Sequence, residues 1–143
     1  MINKTKIIEL NGYKFKIKKL NAFTASYIAV QIGFSLAGGL INAGNTNKVD
    51  MLQKAINGID KDKFIEIQKD CLSAVEILNN INGSEMPEAL ILNNGSLSHK
   101  ELENDFMTII LLTIEVVMFN VEGFFGEKGL QSLTNSLQTN SKQ

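Results

Sequence analysis

Three kinds of residue in this chain have side chains that could do chemistry, and none has the spacing that chemistry needs. His99 is the single histidine of the 143 residues. It falls in the first turn of a predicted helix, among polar residues and with no serine or cysteine nucleophile arrangement implied, so it is expected to be a solvated surface residue. Cys71, the single cysteine, excludes an internal disulfide and a multi-thiolate metal site. Its apolar helical surroundings predict a small buried hydrophobe rather than a reactive thiol. The Asp60-Lys61-Asp62-Lys63 run has two carboxylates but lacks the glycine and distal glutamate of a calcium loop. Neither H-E-x-x-H nor C-x-x-C occurs, and Gly33, Gly38 and Gly39 form neither GxGxxG nor a loop ending in GK[ST]. No catalytic, metal or cofactor site is expected, and the chain is predicted not to be an enzyme.

Charge narrows the partners. The formal net charge is −1, and every positive side chain is lysine, since arginine is absent. Arginine supplies the bidentate fork for phosphate, carboxylate and guanine, so its absence argues against nucleic acid as a partner. Six lysines (4, 6, 14, 16, 18 and 19) face one glutamate, Glu9, in the first 19 residues. A basic ribbon of this kind could lie on nucleic acid or on an acidic protein. Lysines on the exposed face of an edge strand also block unwanted edge pairing, and Lys14, Lys16 and Lys18 are read chiefly in that way.

These residues need elements to hold them. KTKIIEL, Asn11-Gly12 and YKFKIK predict a β-hairpin over 4–18 with a type I′ turn. A two-residue turn pairs Leu10 with Tyr13 and Ile8 with Phe15 on the apolar face, and sets Glu9 opposite Lys14 on the other. Such a hairpin is marginal alone and must lie on something. Helical periodicity follows over about 21–37, with Phe23, Tyr27, Val30 and Phe34 on one face and Ala22, Ala25 and Ala29 keeping the other slim. Gly38-Gly39 and Gly44-Asn45 end it.

A short helix is expected at about 48–57, stopped at Asn57-Gly58. Another follows over 61–80, capped by Asp60 and burying Phe64, Ile67, Cys71, Leu72, Val75 and Leu78. Residues 79–98 predict a long connection with a strand or helical turn at ALIL. Ser98 and Glu101 form a capping box that opens a last helix over 99–122. The expected class is α+β, mostly α: an N-terminal β-hairpin followed by a bundle of about four helices. Residues 1–129 form one globular domain in this reading, and 130–143 a polar, flexible tail with Leu130, Leu133 and Leu137 on one helical face.

FMTIILLTIEVVMF, residues 106–119, is the most apolar run. Its 14 residues fall short of the roughly 20 that cross a bilayer, and Glu115 lies near its centre. No membrane span is expected. On a helix, Leu102, Phe106, Ile109, Ile110, Val117 and Val121 make one apolar face, and Met107, Leu111, Ile114, Met118 and Phe125 a second. Glu101, Asp105, Thr108, Glu115 and Glu122 leave a narrow polar stripe, interrupted by Leu112 and Phe119. Such a helix is either the central core element or keeps one face for a partner or a second copy. The N-terminus MINKTKIIEL has no long apolar region, so a cytoplasmic location is expected.

The hairpin IELNGYKFKIKKL, the alanine-rich helix NAFTASYIAVQIG and the GFFG segment before a polar tail resemble the tail assembly chaperones of long-tailed bacteriophages. The likeness is to those of phages, prophages and phage-tail-like particles of Gram-positive hosts, and it is strongest over residues 5–35. It implies a small, mostly helical protein that binds the long helical tape measure protein. The chaperone would keep that partner soluble and extended before the tail tube polymerises, and be absent from the finished particle. Phe106, Ile110, Leu111, Met118, Phe119 and Phe125 are the expected contact set. Two other readings stay open: a structural or adaptor subunit of a tail or connector, and a nucleic-acid-binding regulator using the lysine hairpin.

Overall fold

The structure is a computed structural model and is described for residues 4–36, 38 and 47–122. Strands β1 (Thr5–Leu10) and β2 (Tyr13–Lys18) form the expected hairpin in the expected register, Leu10 with Tyr13, Ile8 with Phe15 and Glu9 with Lys14. The turn needs positive φ at both central positions, which Asn11 (51°) and Gly12 (83°) supply.

The hairpin does not stand alone. Strand β3 (Val75–Ile81) pairs antiparallel with β2, and β4 (Ser84–Ala89) with β3, giving a four-stranded sheet in the order β1-β2-β3-β4. This corrects the sequence reading twice. The helix expected over 61–80 stops at Leu72, and much of the 79–98 connection is strand. Cys71, Leu72, Val75 and Leu78 fit a helical period, but Val75, Ile77 and Ile81 fit a period of two equally well. The open edge of β2 decides between them, because a strand there satisfies a whole row of backbone donors and acceptors. The second turn repeats the chemistry of the first: Asn82 and Gly83 adopt φ of 53° and 83°.

Among the described residues, four α-helices accompany the sheet. Helix α1 (Ala22–Ile28) is capped by the Asn21 side chain and runs on into a π-helical turn, Ala29–Gly33. Helices α2 (Lys48–Ala55) and α3 (Lys61–Leu72) begin at Asn47 and Asp60, whose side chains accept from Val49 N and Lys63 N. Helix α4 (Phe106–Val121) begins at Asp105, not at the Ser98 box, which falls instead before a short 3-10 turn at Lys100–Leu102. Sheet and helices share one core, in which Phe15, Ile17, Val75 and Ile77 meet Leu112, Ile114, Val116, Val117 and Phe119. Burying each such side chain contributes roughly 1.5–3 kcal/mol.

Helix α4 touches α1, its π turn, α2 and α3, so it is the hub of the helical layer. Its polar side chains do not all face solvent. Thr108 is fully buried and bonds Asn11 in the hairpin turn, while Asn120 Oδ1 accepts from Leu20 N at 2.8 Å where the hairpin exits. The polar residues hold the helix to the hairpin. Among the described residues, every buried side-chain nitrogen and oxygen has a hydrogen-bond partner.

Candidate functional site: apolar grooves beside the central helix

The chemical candidates are quickly placed. Cys71 is buried in the core, and burial pushes its thiol up to about 12. It remains a protonated, inert thiol at neutral pH. His99 sits between Ser98 Oγ (3.3 Å) and Asn79 Oδ1 (3.0 Å), and Asn79 in turn donates to Glu88. These contacts tie the loop after β4 to the β3–β4 hairpin. Asp60 is occupied as a helix cap. Among the described residues there is no group of three or more His, Cys, Asp or Glu that could hold a metal ion, and no helix is long and apolar enough to cross a membrane.

The basic hairpin face is largely neutralised within the chain. Lys14 donates to Glu85 on β4 at 2.7 Å, reaching over β3 rather than to Glu9 opposite it. That bond and the charge of Glu85 raise the Lys14 pKa. Lys18 lies 3.7 Å from Glu76, and Lys16 is in register with the same Glu76. The acids of the β3–β4 hairpin thus alternate with the lysines of β2 on one surface. A ribbon built to track phosphates would leave its cations uncompensated.

Five residues of the expected contact set are described, and they do not lie together on one exposed surface. Phe106 is 69% exposed at the start of α4. Ile110, one turn on, lines a groove of about 190 Å³ with Val49, Leu52, Gln53, Ile56 and Phe64, where α2, α3 and α4 converge. Leu111 and Met118 are half-buried and pack on the core. Phe119 is 2% exposed, and the Lys19 ammonium sits 4.0 Å over its ring centroid while donating to the Phe119 carbonyl. That burial pulls the Lys19 pKa below the ordinary lysine value, with Glu122 acting the other way. Phe119 is therefore core and offers no surface. Phe125 lies outside the described residues.

Sequence reasoning did not see that the aromatic face of α1 points outward. Phe23 is 88% and Val30 72% exposed, with Tyr27 and Phe34 partly so, while Ile28, Ala29, Ile32, Gly33 and Leu36 turn inward. The signal lay on the slim side. A Cβ at Gly33 would stand 3.0 Å from Val121 Cγ1, so the π turn that continues α1 crosses α4 closely on its small residues. Beside that crossing runs a second groove of about 300 Å³, lined by Ala25, Ser26, Ala29, Val30, Phe34, Asn120 and Val121.

Two apolar grooves thus flank the central helix of a small α+β protein in which Lys14 and Lys18 of the hairpin are paired to its own acids. A family model described as phage tail assembly chaperone protein matches residues 11–133. The chain belongs to that phage tail assembly chaperone family. No curated relative and no solved structure matches it.

Proposed function

We propose that this chaperone binds the tape measure protein without catalysis and keeps it soluble and extended in the host cytoplasm before the tail tube polymerises. Family membership implies a tail-protein partner. The observation that favours a helical one is the groove of α2, α3 and α4. Ile110 lines it, and Phe106 stands four residues earlier on the same helical face, exposed. An amphipathic helix lays apolar side chains at spacings of three and four into a groove of this kind.

Co-expression with the tape measure protein tests the reading. The two proteins are expected to co-purify, and Phe106→Ser is expected to cut the recovered partner at least about tenfold, a cost of roughly 1.4 kcal/mol. Failure to co-purify with the unaltered chain overturns the proposal. So does stoichiometric recovery of this chain from finished particles, which instead supports a structural or adaptor subunit.

A further inference from the structure

We propose that the free edge of β1 is a docking site for an extended, acidic segment of a partner protein, which adds to the sheet as a further strand antiparallel to β1. The two edges of the sheet are β1 and β4, and they differ. In a two-residue hairpin the closing pair is hydrogen-bonded, and bonded and non-bonded pairs alternate from there. Leu10, Ile8 and Lys6 therefore direct their backbone groups to β2, whereas Thr5, Ile7 and Glu9 turn theirs outward. Among the described residues nothing bonds the N–H or C=O of those three.

The same alternation from Ile81 and Ser84 turns Glu85, Pro87 and Ala89 outward on β4. Proline has no N–H, so Pro87 removes the middle donor of that edge and closes it to pairing. No proline blocks β1, and lysine does not guard it. Lys14, Lys16 and Lys18, expected from the sequence to shield an edge, lie on β2, an inner strand. Lys6, the one lysine within β1, reaches to the helical side, 3.9 Å from Glu115.

Side chains set the chemistry of the occupant. On the face away from the helices Ile7 is 55% exposed at the middle of the edge, and Lys16 stands opposite it on β2. Lys14 and Lys18 have Glu85 and Glu76, but Lys16 makes no ion pair among the described residues. Lys14 shows the reach available, because its ammonium crosses β3 to meet Glu85 on β4 at 2.7 Å. A glutamate opposite Ile7 on an added strand stands in the mirror relation to Lys16, with β1 between them. Its stem covers Ile7. On the helical face the alternate residues of the added strand meet Ile8 and Leu10, which are half-buried, so apolar side chains fit there. The occupant alternates acidic and apolar residues, and main-chain bonds supply much of its affinity.

The probe is an acetylated peptide of alternating glutamate and valine, about seven residues long, added to the full-length chain at low salt. A Kd below about 1 mM is expected, with NMR amide shifts at Thr5, Ile7 and Glu9. The same peptide with lysine for glutamate should bind at least about tenfold more weakly. Lys16→Gln is expected to weaken the acidic peptide about two- to fivefold. Ile7→Pro removes an outward donor and no bond to β2, as Pro87 does on β4, and is expected to abolish binding.

Two methylated peptides read the pairing without altering the chain. Methyl groups on the glutamate nitrogens, which point at β1, should abolish binding, and methyl groups on the valine nitrogens should not. No binding by the unaltered chain, undiminished binding to Ile7→Pro, or equal binding of the two methylated peptides or of the lysine peptide overturns the proposal. So does a dimer of this chain that is lost in Ile7→Pro while no peptide binds. The measurement uses the chaperone and a synthetic peptide, so its failure is distinct from a failure to bind tape measure protein.

Discussion

The carboxylate of Glu115 accepts a 2.9 Å hydrogen bond from the ammonium of Lys48, the first residue of α2. Glu115 is the one charged residue between Asp105 and Glu122. Its other oxygen lies 3.9 Å from Lys6 on β1. One acid in the most apolar helix thereby pins both an edge strand and a helix N-terminus. A lysine at the positive end of a helix is unfavourable unless an anion compensates it, and Glu115 is that anion.

Glu115→Gln is expected to destabilise the protein by about 0.5–1 kcal/mol, because both lysines are half-exposed and screened by water. Urea unfolding at low ionic strength measures the loss. At about 1 M salt, where the Debye length is about 3 Å, most of the difference between variant and parent should vanish.

Asn11 and Thr108 make the reciprocal test, since their bond lies at the other end of α4. Thr108 Oγ1 accepts from Asn11 Nδ2 and donates to Asp105 Oδ2 at 2.8 Å. Thr108→Val keeps the shape and leaves both partners short of a bond, at a cost of about 1–3 kcal/mol. Faster amide exchange at the hairpin turn should accompany the lower Tm.

Phe119 and Phe106 lie on the same helix and should behave oppositely. Phe119→Ala opens the core and is expected to cost about 3–5 kcal/mol. Phe106→Ala removes an exposed ring and should stay within about 0.5 kcal/mol of the parent. Thermal unfolding of the two variants checks this contrast. A Phe106 variant that unfolds early would disqualify that residue as a probe of partner binding.

Cys71 sets an alkaline limit. Burial raises its thiol pKa from the 9.0 of a free thiol to about 12 in the folded chain. Below pH 9 the thiol is protonated in both states and folding is unaffected. Between pH 9 and 12 the unfolded chain loses the proton and the folded chain keeps it, so stability falls by roughly 1 kcal/mol per pH unit. Cys71→Ala should flatten that slope, measured as Tm against pH, although the cavity lowers the Tm at every pH.

The turn Asn82-Gly83 repeats Asn11-Gly12, and Gly83 has φ +83° with nothing within 4 Å of a built Cβ. Gly83→Ala is therefore expected to cost about 1–2 kcal/mol through backbone conformation alone. Differential scanning calorimetry beside Asn82→Gly, which should be nearly neutral, isolates the effect.

Short-range chemistry made much of this fold legible in the sequence. The first hairpin and its register, and the caps at Asp60 and Asn57-Gly58, depend on neighbouring residues. The second Asn-Gly turn carried the same local signal. It went unread because β4, SEMPEA, is exposed along its whole length and has no apolar alternation to announce a strand. In the contact set, Ile110 and Phe106 could be placed on a helix from spacing. Phe119 could not be told from them, since periodicity groups residues by face without saying which face is covered.

The amino-acid sequence by itself determined the local elements, the apolar character of α4 and the family, because each rests on residue type and spacing along the chain. Tertiary structure decided the rest. It turned residues 75–81 from helix to strand by offering the open edge of β2, and it turned Thr108 and Asn120 of α4 toward the hairpin. It also put the small side of α1 against Val121, leaving the aromatic side outside. The physical reason is common to all three. Burial and pairing are properties of two surfaces at once, and a one-dimensional pattern describes only one of them.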